Sequence, residues 1–305
     1  MNFIPATLAF IGAVGFEAVG LTTRRLQELG ATPLGTFKLY RYALIPALVW
    51  GLIFVRIDDI GTILNSSSLL TYVLLVPLIW NIQVYLFLCV LNTTSSLSGM
   101  VSLQRMVVLP FSLAVGIFLN GDIPNALALL ALALLTISLL VQPAHHGLNH
   151  RPRYSRPFIF IAGTLVLITA LETLRFGLSR EILKTLPPDV FVGIFAILAL
   201  SLCTLWIWRM KTKSGETGSA VIQKNPKLAV LVPILWFGAL VPETYAFAAL
   251  PVYIVAAIAT VTFGMDAASD LLHKRIRFNP QTAVFIFLFL TGTTLALISI
   301  HNQGW

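Results

Sequence analysis

The sequence predicts an all-α polytopic membrane protein of ten transmembrane helices, arranged as two inverted five-helix repeats. Three observations lead there. The 305 residues are 57% apolar and only 10% charged, with a mean hydropathy of +0.89, where a soluble domain carries about 25% charged residues. Ten long apolar runs cross the chain, each near the roughly 20 residues that span a bilayer. The two halves also repeat each other at a spacing of 155 to 156 residues.

The runs cover 3–23, 34–55, 69–91, 97–119, 124–142, 157–178, 189–208, 228–248, 252–272 and 280–300. Backbone groups in hydrocarbon must be hydrogen-bonded within their own segment, so runs of this length read as helices rather than buried strands. Turn chemistry separates them: Asn120-Gly121-Asp122-Ile123-Pro124 and Arg277-Phe278-Asn279-Pro280 each place a proline at the start of a helix. The longest polar connections, 145–156 and 209–227, are too short for a domain. Residues 1–143 therefore form the first repeat, 144–156 a basic linker and 157–305 the second repeat. The N-terminus lacks the positive flank of a signal peptide, so the first span is expected to be retained.

The repeat is carried by chemistry rather than by leucine alone. At an offset of 155, Phe3-Ile4 matches Phe158-Ile159, Glu17 matches Glu172, Arg25 matches Arg180 and Pro33 matches Pro188. At 156, Leu75-Val76-Pro77-Leu78-Ile79-Trp80 matches Leu231-Val232-Pro233-Ile234-Leu235-Trp236, and Pro124 matches Pro280. Five spans per repeat is an odd number, so the second half enters the bilayer with the opposite orientation. Inverted repeats of this kind characterise secondary transporters, whose substrate site lies near the midplane between halves.

Net charge is +8, yet no basic run is interleaved with aromatics, so a nucleic-acid partner is not expected. Thirteen Lys and Arg fall in the odd-numbered loops and three, Arg56, Arg180 and Lys184, on the opposite side. That bias places the odd loops in the cytoplasm and both termini outside it. Cys89 and Cys203 sit in apolar runs and imply no disulfide framework. The chain has no P-loop, no His-Glu-x-x-His spacing and no intramembrane nucleophile and base pair, and His145, His146 and His150 share a solvated linker. No cofactor, metal or catalytic residue is expected.

Nine charged residues fall inside spans: Glu17, Lys38, Arg41, Arg105, Glu172, Arg175, Glu243, Asp266 and Asp270. A charge at the bilayer centre costs about 2.5 to 3.5 kcal/mol on insertion scales, so such residues face a cavity or a partner. Glu17 shares a helix face with Ala13 and Gly20, which lets a neighbouring helix or a ligand approach; its alternative role is an ion pair with Arg41. Glu172 has its own alternative in Arg175, three residues on. Trp80 and Trp236 lie near mid-span, where an indole face can hold a cation, and Glu243 follows Trp236 by two turns on one face. Arg105 is the deepest positive charge, and its planar fork suits a carboxylate. Lys38 snorkels, and Asp270 pairs with the basic loop after it. Asp266 and Asp270, one turn apart, could hold Mg²⁺ as half of a prenyltransferase diphosphate site, the basis of a rival reading as a membrane-embedded enzyme.

The five-plus-five repeat, Arg41, Leu109-Pro110 and the Gly121-Asp122 turn together resemble the drug/metabolite transporter superfamily. Locally, Glu17-Ala18-Val19-Gly20-Leu21-Thr22 resembles the first-helix Glu-x-x-Gly-x-Thr stretch of the small multidrug resistance family, and Ile79-Trp80 and Leu235-Trp236 resemble its third-helix tryptophan. The resemblance implies a site of Glu17, Glu172, Trp80 and Trp236, in which the glutamates exchange protons for a cationic substrate. It also implies cytoplasmic termini, opposite to the charge bias.

These readings converge on a proton-coupled efflux-type secondary transporter working by alternating access. Its substrate would be a small amphipathic metabolite or drug, cationic or zwitterionic and amino-acid-like. The expected site is Glu17, Trp80, Arg105, Glu172, Trp236 and Glu243, with Glu17 and Glu172 as coupling residues. The expected setting is a bacterial inner membrane, the protein acting as monomer or homodimer with protons as coupling ion.

Overall fold

The computed structural model describes residues 4–93, 97–141, 156–211, 219–272 and 280–302; side chains at 93, 97–103, 105, 156–159, 211, 219–220, 263–272 and 301–302 are not described. Among the described residues the chain is all-helical. In order the helices are α1 (Ile4–Glu28), α2 (Pro33–Phe54), α3 (Ile57–Leu64), α4 (Ser67–Thr93), α5 (Leu97–Phe118), α6 (Ala126–Val141), α7 (Arg156–Leu183), α8 (Pro188–Lys211), α9 (Ser219–Lys224), α10 (Pro226–Ala249), α11 (Val252–Leu272) and α12 (Pro280–Asn302).

Seven of them, α1, α2, α4, α7, α8, α10 and α12, are long and apolar enough among the described residues to cross a membrane, which marks an integral membrane protein. The other three predicted runs fall on α5, α6 and α11. Of these α6, with 16 residues, is about 24 Å long and short of the roughly 30 Å hydrocarbon core. The short α3 and α9 lie inside connections that the sequence predicts as polar loops. With eight and six residues they make only about two turns each, too short to span a bilayer.

Local chemistry sets the boundaries. Four helices, α2, α8, α10 and α12, begin on proline, whose missing N–H lies where a helix has no acceptor for it. Thr32 caps α2 by accepting from Gly35 N at 3.1 Å. At the end of α1, Gly30 takes φ +99° and Ala31 N reaches back to Leu26 O at 3.0 Å, closing the helix with a left-handed residue. Within the spans, hydroxyls donate to carbonyls one turn back: Thr22 to Ala18, Thr169 to Leu165 and Thr244 to Leu240 at 2.8 Å, and Thr260 to Ala256 at 2.9 Å.

Packing brings first-half helices against second-half helices. The extensive contacts join α1 to α10, α4 to α7, α2 to α8, α6 to α12 and α5 to α11. Glycine permits the closest approaches. A Cβ on Gly51 would lie 2.2 Å from Gly193 Cα, so α2 and α8 touch backbone to backbone. A Cβ on Gly15 would meet Ala239 Cβ at 2.7 Å, and one on Gly12 would meet Glu243 Cβ at 3.0 Å, which seats α1 on α10. Exposed Leu52, Leu140, Phe160, Ile234 and Phe287 cover the outer faces with hydrocarbon.

Candidate functional site

A cavity of about 160 Å³ lies between α1, α2, α4, α5, α7, α10 and α11. Of the six residues expected to form a site, Glu17, Trp80, Glu172, Trp236 and Glu243 line it. Arg105 lies on α5 one residue beyond the lining residue Gln104, but its side chain falls outside the described residues. The side chains of Asp266 and Asp270 also lie outside them.

The helix contacts explain the convergence. Gly12 and Gly15 bring α1 against α10 near Glu243, and Glu17 follows on the same helix five residues after the first and two after the second. Gly20 is different. A Cβ there meets nothing within 4 Å and the residue lines the cavity, so it opens space for a ligand rather than for a helix. On α10, Trp236 and Glu243 face the cavity together, as two turns of helix require.

The two tryptophans meet. Trp80 of α4 and Trp236 of α10 have ring centroids 5.3 Å apart, and both indoles are nearly fully buried. Tyr40 stands edge-on to Trp80 at 6.2 Å, while Phe195 packs on both tryptophans at 5.6 and 6.3 Å. Tyr40 itself lines the cavity, so one wall is an aromatic cluster with electron-rich faces.

The polar wall is acidic. Glu172 accepts from Gln104 Nε2 at 2.7 Å. Arg175, only 8% exposed, has its guanidinium 4.4 Å from the Phe176 ring, and the carboxylates of Glu243 and Glu172 act on it electrostatically. Its Nε and the Oε1 of Gln83 are buried without hydrogen-bond partners among the described residues, and both residues line the cavity. The described lining side chains include the carboxylates of Glu17, Glu172 and Glu243 and the guanidinium of Arg175. Arg41 is not part of this wall; its Nη2 donates to Tyr42 Oη at 3.2 Å.

The sequence reading passed over Tyr40, Gln83, Gln104 and Phe195, and used Arg175 only as a partner for Glu172. Helical spacing carried a signal for one of them: Gln83 follows Trp80 by three residues. Phe195 belongs to α8 and packs from behind the tryptophans, where no local pattern marks it. Among the described residues no cluster of His, Cys, Asp and Glu has the composition of a metal site.

No family model matches the chain, and no curated protein matches it. Among solved structures 23 chains do. One, described as a crystal structure of a protein, superposes with a TM-score of 0.64 at 13% identity, covering 98% of this chain and 98% of its own. What the two share is the fold.

Proposed function

We propose that the protein is a secondary transporter which moves a small amphipathic solute, cationic or zwitterionic, through the central cavity by alternating access of its two halves. Proton exchange drives it. The observation that carries this reading is the cavity itself: it is lined by three glutamates and an arginine and walled by two touching tryptophans, within helices long and apolar enough to cross a membrane. A carboxylate in a cavity poor in water is costly to keep charged, so it can trade a proton for a cation. An indole wall beside it favours a cation with apolar substance around it. Arg175 compensates part of the charge on Glu172 and Glu243 and offers a donor to the acidic end of a zwitterion.

The inverted repeat is supported by the packing pattern. Exchanging α1 with α7, α2 with α8, α4 with α10, α5 with α11 and α6 with α12 maps the main contacts onto each other. The α1–α10 contact becomes α7–α4, α1–α11 becomes α7–α5, and α2–α10 becomes α8–α4. The pairs α2–α8, α5–α11 and α6–α12 map onto themselves. Short α3 precedes α4 as short α9 precedes α10. Each half then contributes one glutamate and one tryptophan to the same cavity: Glu17 with Trp80, and Glu172 with Trp236. A structure with this symmetry has two nearly equivalent packings, the property that alternating access requires.

The test uses purified protein in liposomes with an imposed pH gradient, following tetraphenylphosphonium and a zwitterionic amino acid in parallel. If Glu17 exchanges a proton for the cationic group, protons and solute compete for one carboxylate and apparent affinity falls as the pH drops, by up to about tenfold per unit. Glu17→Gln keeps the side-chain volume and removes that pH dependence. Glu172→Gln does less, because Arg175 stands beside it. Full proton-driven transport by Glu17→Gln would move the coupling role to Glu243.

A further inference from the structure

We propose that Arg180 is the latch of a gate, closing the end of the bundle where α7 stops and α10 turns into α11. The inference rests on the transporter reading, and concerns which contact must break for that end to open.

One guanidinium joins three segments. Arg180 Nε and Nη2 each donate to the Asp122 carboxylate at 2.9 Å, a bidentate pair with side chains only 8% and 9% exposed. Its Nη1 donates to two carbonyls at the end of α10, Phe247 O at 3.0 Å and Leu250 O at 2.6 Å. Asp122 belongs to the turn between α5 and α6, in the first half, whereas α7 and the α10–α11 corner belong to the second. The turn is shaped for this role by Gly121 at φ +68°, a conformation few other residues adopt. A second set of bonds runs beside it. Asn120 Nδ2 donates to Gly177 O at 2.9 Å and to Glu181 Oε1 at 2.6 Å, and Lys184 Nζ returns to Asn120 O at 2.9 Å.

The latch is in contact with the cavity. Phe247, whose carbonyl Arg180 holds, packs its ring against Phe176 with centroids 4.7 Å apart and planes tilted by 35°, and Phe176 lines the cavity beside Arg175. A change in what occupies the cavity can therefore reach Arg180 through two rings.

An ion pair suits a contact that opens. Buried between helices, such a pair adds little net stability over an apolar pair of the same volume, so permanent closure does not call for one. Once that end separates, both groups are wet and solvated, whereas an apolar plug would expose hydrocarbon to water at each cycle.

The experiment cross-links the latch. Asp122→Cys/Arg180→Cys, in a background of Cys89→Ser and Cys203→Ser, is reconstituted as the full chain and treated with a short bifunctional methanethiosulfonate. The latch predicts near-complete loss of tetraphenylphosphonium transport, unchanged equilibrium binding of the same ion, and recovery on reduction. Transport at the untreated rate after cross-linking would overturn it, because the contact would then be static. A second measurement is independent of any solute: hydrogen exchange of Arg180→Lys in nanodiscs. Losing the bidentate fork should speed exchange about tenfold at 116–122 and 247–252, leaving the α2–α8 crossing unchanged. Exchange no faster than in the parent refutes the latch. Absence of both binding and transport in the parent protein refutes the transporter reading instead, and the exchange result then decides only whether Arg180 ties that end together.

Discussion

Alanine at Gly51 should force α2 and α8 apart. The added Cβ would stand 2.2 Å from Gly193 Cα and 3.0 Å from its carbonyl carbon, whereas ordinary contact begins at 3.4 Å. The helices must therefore part by about 1.2 Å at their crossing. Both obstructing atoms are backbone and cannot rotate away, and a gap of 0.5 to 1 Å already forfeits a quarter to a half of a dispersion contact. Overpacking of this kind costs about 1 to 3 kcal/mol, here toward the upper end. Alanine also gains up to about 1 kcal/mol of helix propensity over glycine, so the comparison must be with a site where that gain acts alone. Gly238→Ala serves, since nothing lies within 4 Å of its Cβ. The assay is unfolding of the purified proteins in mixed micelles under an SDS titration. Gly51→Ala is expected to unfold at clearly lower SDS than Gly238→Ala, with Gly193→Ala similar and the double variant less than additive, because the helices separate only once. Equal stability of Gly51→Ala and Gly238→Ala would refute the backbone contact.

Trp236→Ala should destabilise the protein by about 3 to 5 kcal/mol in the same assay, and Trp236→Phe far less, since an aromatic ring still fills the site against Trp80 and Phe195. Asp189→Ala removes the acceptor shared by Trp50 Nε1 at 2.9 Å and Tyr245 Oη at 2.8 Å. It should lower stability by about 1 to 3 kcal/mol, with Asp189→Asn losing less. A reporter fused after Trp305 should be active only outside the cytoplasm if the count of thirteen cationic residues against three sets the orientation, and activity inside the cytoplasm would refute the charge argument.

Legibility in the sequence followed cost. A glutamate or tryptophan near mid-span is expensive enough to stand out, and Glu17, Trp80, Glu172, Trp236 and Glu243 all line one cavity. Pro280 was legible as a helix start because proline removes a hydrogen bond that an interior position needs, whereas Pro124, expected to start a helix in the same way, stands two residues before α6, where Asn125 Oδ1 accepts from Ala128 N at 2.7 Å. Arg180 was misread for the same reason that makes it interesting. Three residues from the end of α7 it looks like an orientation charge in water, yet it is buried on Asp122, 58 residues away along the chain, and a turn's acidity does not announce its partner. The Gly51–Gly193 crossing was equally silent, since a glycine inside an apolar run says only that something can come close.

The hydroxyls bonded one turn back, at Thr22, Thr169, Thr244 and Thr260, bear on how the protein is made. Each donor finds its acceptor within its own helix, so those segments can leave the translocon one by one without waiting for a neighbour to satisfy them. Assembly then becomes a later event among helices already in lipid. Arg180 differs, because its acceptors lie on the α5–α6 turn and the end of α10. Biogenesis should accordingly tolerate threonine-to-valine changes in these spans, and an Arg180 variant should insert just as normally, since its bonds form only when inserted helices come together, which protease protection of nascent chains can check.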